Sequence, residues 1–125
     1  MPASTYMGLA PALYNEPITK AASFTLAREE VGAVIIVTAV ATCTLPDPTA
    51  DWKGASVTIL NQADAILTVK TATADTLITV NDAAADSVAT STASHKIGAS
   101  IWCYCDGTNW WALGQTVGGT ITVST

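Results

Sequence analysis

The 125-residue chain is poor in charged residues, poor in aromatic residues and without a long apolar run. Charged residues make up 12% of it, about half of the roughly 25% that typical soluble domains carry. Disordered chains are rich in charge and poor in β-branched residues, so this composition excludes overall disorder. The five basic residues are widely spread and the formal net charge is −5. Nucleic-acid binding needs clustered Lys and Arg, so that class of function is excluded too.

We also expect neither a membrane span nor a secretion leader. The longest strongly apolar stretch covers residues 33–37, far short of the about 18 residues that suggest a spanning helix. The N-terminus has no basic region, and proline interrupts its apolar stretch at residues 9–13. Cys43, Cys103 and Cys105 form an odd set, which disfavours a closed disulfide framework. We therefore expect cytosolic synthesis, reduced thiols and no membrane association.

Ala, Thr, Val and Ile dominate what is present, and their arrangement favours strands. Thr, Val and Ile are stiff at χ1 and suit a pleated surface. Every odd position from Val31 to Leu45 is apolar, whereas the even positions change from apolar to hydroxylated along the way. This alternation predicts one strand over residues 31–45 with one buried face, stopped by Pro46.

Further short strands follow at spacings of about ten residues. Alternating segments separated by polar turns lie at residues 55–60, 65–70, 76–80, 100–105, 110–113 and 120–124. The Asp106-Gly107 pair between two of them is a strong hairpin signal. Residues 81–85 are compatible with a loop or a single helical turn. The pattern predicts an all-β fold, a small antiparallel β-sandwich or barrel of jelly-roll type over residues 24–125.

Residues 1–23 differ from the rest and predict an extended N-terminal arm. Pro2, Pro11 and Pro17 fix φ and bias the residues before them towards extended geometry. A frayed terminus is one alternative. The segment is nevertheless apolar enough to favour docking onto a neighbouring subunit or a larger partner. The docking side chains would be those of Tyr6, Met7, Leu9, Leu13 and Tyr14.

Residue types that carry catalysis or hold metals are sparse. His95 is the only histidine and lies in a polar loop, so His-based acid–base chemistry would depend on one residue. Cys103 and Cys105 lack the paired spacing of zinc sites, and we interpret all three cysteines as small buried hydrophobes. The aspartates lie singly in turns, where their side chains bond local backbone. We expect no enzymatic activity, no metal and no cofactor.

Aromatic residues gather in the C-terminal hairpin, at Trp102, Tyr104, Trp110 and Trp111. Such a group could be a sugar-stacking platform, a block of core or a subunit interface. Trp110 and Trp111 are adjacent, so on a strand they face opposite sides and at least one must leave the core. We favour core or interface over carbohydrate binding.

Several short motifs follow one another between residues 44 and 111. They are Thr44-Leu45-Pro46, the run from Trp52 to Asn61, residues 67–71, Asp75-Thr76-Leu77, and the terminal run from Cys105 to Trp111. Over about residues 31–113, their order and spacing resemble a β-domain common in the virion proteins of tailed bacteriophages. That domain occurs in head fibres, tail fibres and capsid decoration (cement) proteins, usually as trimers. This chain departs from the family pattern at residues 75–80, which lack the usual glycine.

The resemblance implies a structural role in a virion. A fibre needs a shaft to hold its terminal domain away from the particle, and we expect one domain and no shaft here. The implied function is a decoration protein on the outer surface of a phage head that stabilises contacts between capsomers. Its partner would be the major capsid protein, and it would be made in the host cytoplasm. A glycan-binding receptor module of a head or tail fibre, using the tryptophan cluster, is the alternative.

A few large apolar residues lie on strand faces opposite the inferred core. They are Val34, Ile36, Leu60, Ile66 and Ile78. A monomer would expose them as a patch, whereas three copies around a closed axis would bury them. We expect a homotrimer whose residues 1–23 contact the capsid.

Overall fold

The computed structural model describes residues 16–125, which form two packed β-sheets and no helix longer than three residues. The strands are β1 (Ile18–Lys20), β2 (Phe24–Thr25), β3 (Val34–Val37), β4 (Ala41–Leu45), β5 (Ser56–Asn61), β6 (Leu67–Thr71), β7 (Leu77–Thr79), β8 (Asp82–Ala85), β9 (Ser87–Thr90), β10 (Ser100–Cys105), β11 (Trp110–Gln115) and β12 (Ile121–Ser124). Two short 3₁₀ helices cover Arg28–Glu30 and Ala50–Trp52. The prediction of an all-β sandwich is confirmed.

The two sheets differ in size and share one core. The seven-stranded sheet has the order β1-β3-β5-β10-β11-β7-β8, and the five-stranded sheet has the order β12-β9-β6-β4-β2. The tight hairpin predicted at Asp106-Gly107 joins β10 to β11, with Cys105 opposite Trp110. Residues 81–85, open between loop and helical turn in the sequence, contain β8.

The strand predicted over residues 31–45 is two strands, and they belong to different sheets. β3 lies in the seven-stranded sheet and β4 in the five-stranded sheet, and residues 38–40 carry the chain across between them. The odd positions of both strands remain inside because both sheets face the same core: Ile35 and Val37 are fully buried in one, and Cys43 and Leu45 in the other, whereas Val31, before β3, is 36% exposed. Alternation over fifteen residues therefore records one continuous interior and not one continuous strand.

The chain crosses between the sheets several more times. Half of the strand pairings are parallel, which the sequence did not predict. The chain passes from one sheet to the other at each step from β1 to β6, so β1, β3 and β5 run parallel, as do β2, β4 and β6. β7 is also parallel to β11. The antiparallel pairing expected throughout holds only for the remaining pairs, which lie mainly in the C-terminal half. In the first half of the domain the chain thus winds back and forth between the two sheets, and its strands are parallel within each sheet. In the second half the strands pair mainly antiparallel.

The two ends of the sandwich are finished differently. At one end the C-terminus closes the structure, because the Asp86 N–H donates to the Ser124 carbonyl at 2.7 Å and the Thr125 hydroxyl donates to the Asp82 carboxylate. At the other end, as far as residues 16–125 show, β1 and β2 are the edge strands of the two sheets. Lys20 and Glu30 form an ion pair there, with Nζ and Oε2 2.6 Å apart.

Glu30 is held in its charged form at this open end. Burial alone would raise the pKa of its carboxyl group, but the Lys20 ammonium and the Ala27 N–H, which donates to Oε1 at 2.9 Å, bring the pKa below its ordinary value. The Lys20 ammonium also lies 5.0 Å from the centre of the Phe24 ring. The edge of the core is therefore covered by a partnered charge and an aromatic ring.

The outward faces of the two sheets are chemically opposite. The five-stranded sheet presents hydroxyl side chains with a single lysine: Thr25, Thr42, Thr44, Thr68, Lys70, Ser87, Thr122 and Ser124, with Ala89 among them. The seven-stranded sheet presents mainly apolar and aromatic side chains. The change from apolar to hydroxylated even positions after Ile36 follows directly, because the chain leaves one sheet for the other at that point.

The first element of the fold begins earlier than the sequence suggested. Residues 18–20, assigned above to the arm, form β1 at the edge of the seven-stranded sheet. The predicted docking side chains of the arm, at positions 6, 7, 9, 13 and 14, lie outside the described residues. Across residues 16–125 there is no helix long and apolar enough to cross a bilayer.

Two buried threonines provide a matched test of the core. Thr79 and Thr71 are 5% and 3% exposed, and the Thr71 hydroxyl donates to the Thr73 carbonyl at 2.8 Å. The Thr79 hydroxyl has no hydrogen-bond partner within the described range. Replacing an unpaired buried hydroxyl by a methyl group removes a desolvation cost, so Thr79→Val should raise the free energy of unfolding by up to about 1 kcal/mol. Thr71→Val should lower it by about 1 kcal/mol, measured by urea denaturation. Equal effects of the same sign would contradict this assignment.

Candidate functional site

The outward face of the seven-stranded sheet is the most distinctive surface in the described chain. We call it the outer face and define it by Val34, Ile36, Leu60, Ile78, Trp102, Tyr104, Trp111 and Leu113. The strand register aligns these residues in rows across the sheet. One row reads Val34, Thr58, Trp102, Leu113; a second reads Ser56, Tyr104, Trp111, Ile78; a third reads Ile36, Leu60, Ser100, Gln115.

The polarity of the outer face is unusual for a solvated sheet. On strands β3, β5, β10, β11 and β7, no outward position holds a charged residue. Trp102 is 44% exposed and Trp111 is 37% exposed, although tryptophan side chains gain strongly from burial. A contiguous apolar surface of this kind, rimmed by Ser, Thr and Gln, is typical of a surface that binds another molecule.

Trp102 and Tyr104 stack on each other at the centre of the outer face. They lie two positions apart on β10, so both project outwards, and their ring centroids are 5.7 Å apart with the ring planes inclined by 16°. This nearly parallel pair is broad and flat. It can pack against the side chains of a protein partner or against the face of a pyranose ring.

Trp111 is fixed by the turn that precedes it. Its indole Nε1–H donates to Oδ2 of Asp106 at 2.9 Å, while Oδ1 of Asp106 accepts the backbone N–H groups of Thr108 and Asn109 at 2.8 and 2.7 Å. Gly107 adopts a φ of +95°, which favours glycine. The bonds from Asn109, from Trp111 and from Thr108 hold the pKa of the Asp106 carboxyl group below its ordinary value. The Asp-Gly turn therefore both closes the hairpin and orients one ring of the outer face.

The structure brings most of the sequence-predicted interface residues together. Val34, Ile36, Leu60 and Ile78 join Trp102, Tyr104 and Trp111 on the outer face, so the predicted subunit interface and the predicted aromatic surface are one surface. Ile66 does not join them. It is 42% exposed just before β6 and belongs to the five-stranded side, because the chain changes sheets between β5 and β6.

Trp110 also lies away from the outer face. It is fully buried, packs against Trp52 with ring centroids 6.2 Å apart, and donates its indole N–H to the Pro46 carbonyl at 2.7 Å. The prediction that Trp110 and Trp111 point to opposite sides is confirmed. Trp110 is consequently a core residue and is unavailable to a ligand.

One member of the outer face and one residue beside it were missed in the sequence. Leu113 is 39% exposed and lies beside Trp102 in the same row. Its parity with Trp111 along β11 would have identified it. Ile97 is 67% exposed and lines an open groove of about 300 Å³ with Ile36 and Leu60. Ile97 lies in a Ser- and Ala-rich loop without periodicity, so no sequence pattern indicated it.

The cysteines take up the structural role expected of them. All three are buried and free. Cys43 lies in the five-stranded sheet and Cys103 in the seven-stranded sheet, and both side chains are in the core between them. Burial raises the pKa of Cys43 to about 12, and it raises the pKa values of the Cys103 and Cys105 thiols as well. These thiols therefore stay protonated, which makes them poor metal ligands and poor nucleophiles.

His95 and the aspartates serve local structure. The Nδ1–H of His95 donates to the Val117 carbonyl at 2.6 Å, which ties its loop to the segment before β12. Asp82, Asp86 and Asp106 each accept a backbone N–H in or near a turn. No cluster of three potential metal ligands occurs among the residues that the structure covers.

Comparisons with known proteins give no relative from which a role could be transferred: no family model, no curated protein and no solved structure matches this chain.

The Asp106 turn supplies a pH-dependent prediction. In Asp106→Asn, the amide oxygen can still accept the two backbone N–H groups, but its NH₂ then faces the Trp111 N–H, donor against donor. A carboxyl group whose folded pKa is lowered stabilises the fold above its unfolded pKa, and that contribution is lost as the pH falls through the folded pKa. The melting temperature should therefore drop by a few degrees at neutral pH, and the difference from the wild type should shrink below about pH 4.

Asp51→Asn is the control, because the Asp51 side chain accepts no hydrogen bond within residues 16–125. It should leave the melting temperature nearly unchanged. A pH-independent effect of Asp106→Asn would show that the charge of Asp106 contributes nothing to the turn.

Proposed function

We propose that this chain is a structural virion protein, a decoration or cement protein that binds the outer surface of a phage head as a homotrimer. It would stabilise contacts between capsomers, with the major capsid protein as its partner. The observation that carries the proposal is the contrast between the two outward faces. One face is apolar and aromatic, with no charged residue at the outward positions of β3, β5, β10, β11 and β7, and the other is hydroxylated. A protein with one face for other protein and one face for water suits a role in assembly.

The outer face supports self-association in particular. A closed trimer needs two complementary surface patches on each subunit, because its interface is heterologous. The outer face offers a flat part, the Trp102–Tyr104 stack, and a groove of about 300 Å³ beside Ile36, Leu60 and Ile97. In a closed trimer, apolar side chains of one copy would fill the groove of the next copy and pack beside its Trp102–Tyr104 stack. Both parts of the outer face would then be buried.

Residues 1–23 are proposed to provide the contact with the capsid. Within the described residues β1 lies at the edge of the seven-stranded sheet, and the proposed contact segment is continuous with it in sequence. Closed symmetry would present three identical segments, and three weak contacts acting together bind far more tightly than one.

A glycan-binding module of a head or tail fibre is the second candidate. It is favoured by one specific observation, the exposed Trp102–Tyr104 stack with Trp111 in the neighbouring row. The two candidates compete for one surface. A trimer that closes through the outer face covers these rings, whereas a glycan module must leave them open.

The trimer predicts a mass of three chains in solution. Val34→Lys would place a charge on the outer face, where its burial is costly, and should give monomers. Val40→Lys is the matched control, because Val40 lies in the crossing turn, is 67% exposed and is not on this face. It should leave the trimer intact. The measurement is light scattering coupled to size exclusion, with circular dichroism to check folding.

A wild-type protein that is monomeric at micromolar concentration would contradict the trimer. If that monomer also bound a glycan array, and Trp102→Ala removed the binding, the fibre module would replace the decoration protein as the better function. Dissociation by both lysine variants would show that the interface is not confined to the outer face.

The role of the N-terminal segment predicts a separate loss. Deleting residues 1–15 keeps β1 and all described strands, so the shortened chain should retain its mass of three chains. It should no longer co-sediment with capsids that lack the decoration protein. Full-length protein carrying Leu9→Ser and Leu13→Ser should lose most of the binding for the same reason, since the segment would lose apolar contacts. Undiminished co-sedimentation of both variants would place the capsid contact elsewhere.

A further inference from the structure

An open pocket of about 410 Å³ lies where the two 3₁₀ helices meet the chain leading into β5. Its lining includes Arg28, Val31, Asp51, Trp52, Lys53 and Gly54. Two of the chain's five basic residues therefore line one pocket of an acidic protein. The pocket is separate from the outer face, which contains none of these residues.

The guanidinium group of Arg28 is held in place before any ligand arrives. It lies over the Trp52 ring, 4.6 Å from the ring centre, and Nη1 donates to the Asp51 carbonyl at 3.2 Å. Trp52 in turn packs against the fully buried Trp110. An arginine stacked on an anchored ring loses little further freedom on binding, so its remaining N–H donors are pre-organised.

Within the described part of the chain, neither cation of the pocket forms an ion pair with a carboxylate, although Lys53 lies near Asp106. The ion pairs there are Lys20–Glu30 and Lys96–Asp64. The chain has ten acidic and five basic residues, so carboxylates outnumber cations by two to one. Arg28 and Lys53 nevertheless both line the same open pocket, and neither of them takes part in these ion pairs.

We propose that this pocket binds a carboxylate side chain from an acidic segment of a partner protein. The guanidinium fork matches a carboxylate with two parallel N–H···O bonds, and Lys53 adds a second positive charge. Val31 and Gly54 leave an apolar lining for the aliphatic stem of a glutamate. The pocket is open to solvent, which suits a side chain presented by another chain.

Local charge favours a carboxylate over a phosphate. Asp51 lines the pocket, and Asp106 lies close enough to Lys53 for the two charges to interact. These two aspartates offset the two cations, so the pocket has no excess positive charge to hold a dianionic phosphate, whereas a singly charged carboxylate needs only the guanidinium fork.

Calorimetric titration of the full-length protein with an N-acetylated, C-amidated tetraglutamate peptide tests this inference. Arg28→Gln should weaken binding by about tenfold or more, as expected for the loss of a charge-assisted pair. Lys53→Gln should weaken it several-fold. Lys70→Gln removes the same unit charge from the hydroxylated face of the five-stranded sheet and should change the affinity by less than about twofold, since distant exposed charges are screened.

Nuclear magnetic resonance locates the binding. The Nε–H signal of Arg28 and the indole N–H signal of Trp52 should move with added peptide, and acetate should move them at higher concentration. Unmoved signals, or equal weakening by Lys70→Gln and Arg28→Gln, would overturn the site. Inorganic phosphate that binds more tightly than the peptide at the same signals would overturn the carboxylate assignment.

The inference does not rest on the proposed virion function, and the two fail separately. Arg28→Gln should leave the mass in solution unchanged, because Arg28 is not on the outer face. Peptide binding by a monomeric wild-type protein would support the pocket while contradicting the trimer. A trimer whose pocket signals ignore the peptide would do the reverse.

Discussion

One shared interior imposes the constraint on which the rest of this structure depends. The chain crosses repeatedly from one sheet to the other, and at every crossing the residues that pointed inwards must continue to do so. Ile35 and Val37 in one sheet and Cys43 and Leu45 in the other meet this condition although a turn separates them. Parallel pairing of alternate strands follows, because each return to a sheet repeats the previous direction. The outward positions of each strand likewise become the surface of whichever sheet holds that strand, so the even positions of residues 31–45 are divided between two chemically different faces.

The sequence predicted the interior well because parity is a local property. Buried positions such as Val57, Ile59, Leu67 and Val69 alternate with exposed ones over a few residues. The direction of pairing is not local. Residues 38–40 contain neither Gly nor Pro, so nothing at that point distinguished a crossing from a continued strand. Short strands at regular spacing suggested hairpins, and only the segments with a tight turn, such as Asp106-Gly107, behave in that way.

In the candidate site, too, the local features were predicted from the sequence and the non-local ones were not. The opposite orientations of Trp110 and Trp111 followed from their adjacency, and four of the five predicted interface residues share a face because their strands lie in one sheet. Ile66 was grouped with them because it alternates with inward residues of its own segment, and the sheet change before β6 separates it. The contact between Arg28 and Trp52 joins residues far apart in sequence, so no spacing rule could have indicated it.

The ion pair beside β1 and β2 bears on edge-to-edge association of this fold. An edge strand can offer backbone groups to a strand of another molecule, and repetition of that pairing builds a filament. Here Lys20, at the end of β1, turns towards the interior and pairs with Glu30 beside Phe24. An added strand would have to cover that ion pair and remove it from water, which costs several kcal/mol per ion unless every polar atom finds a new partner. The Lys20–Glu30 pair thus makes it costly for a strand of another molecule to pair over this edge.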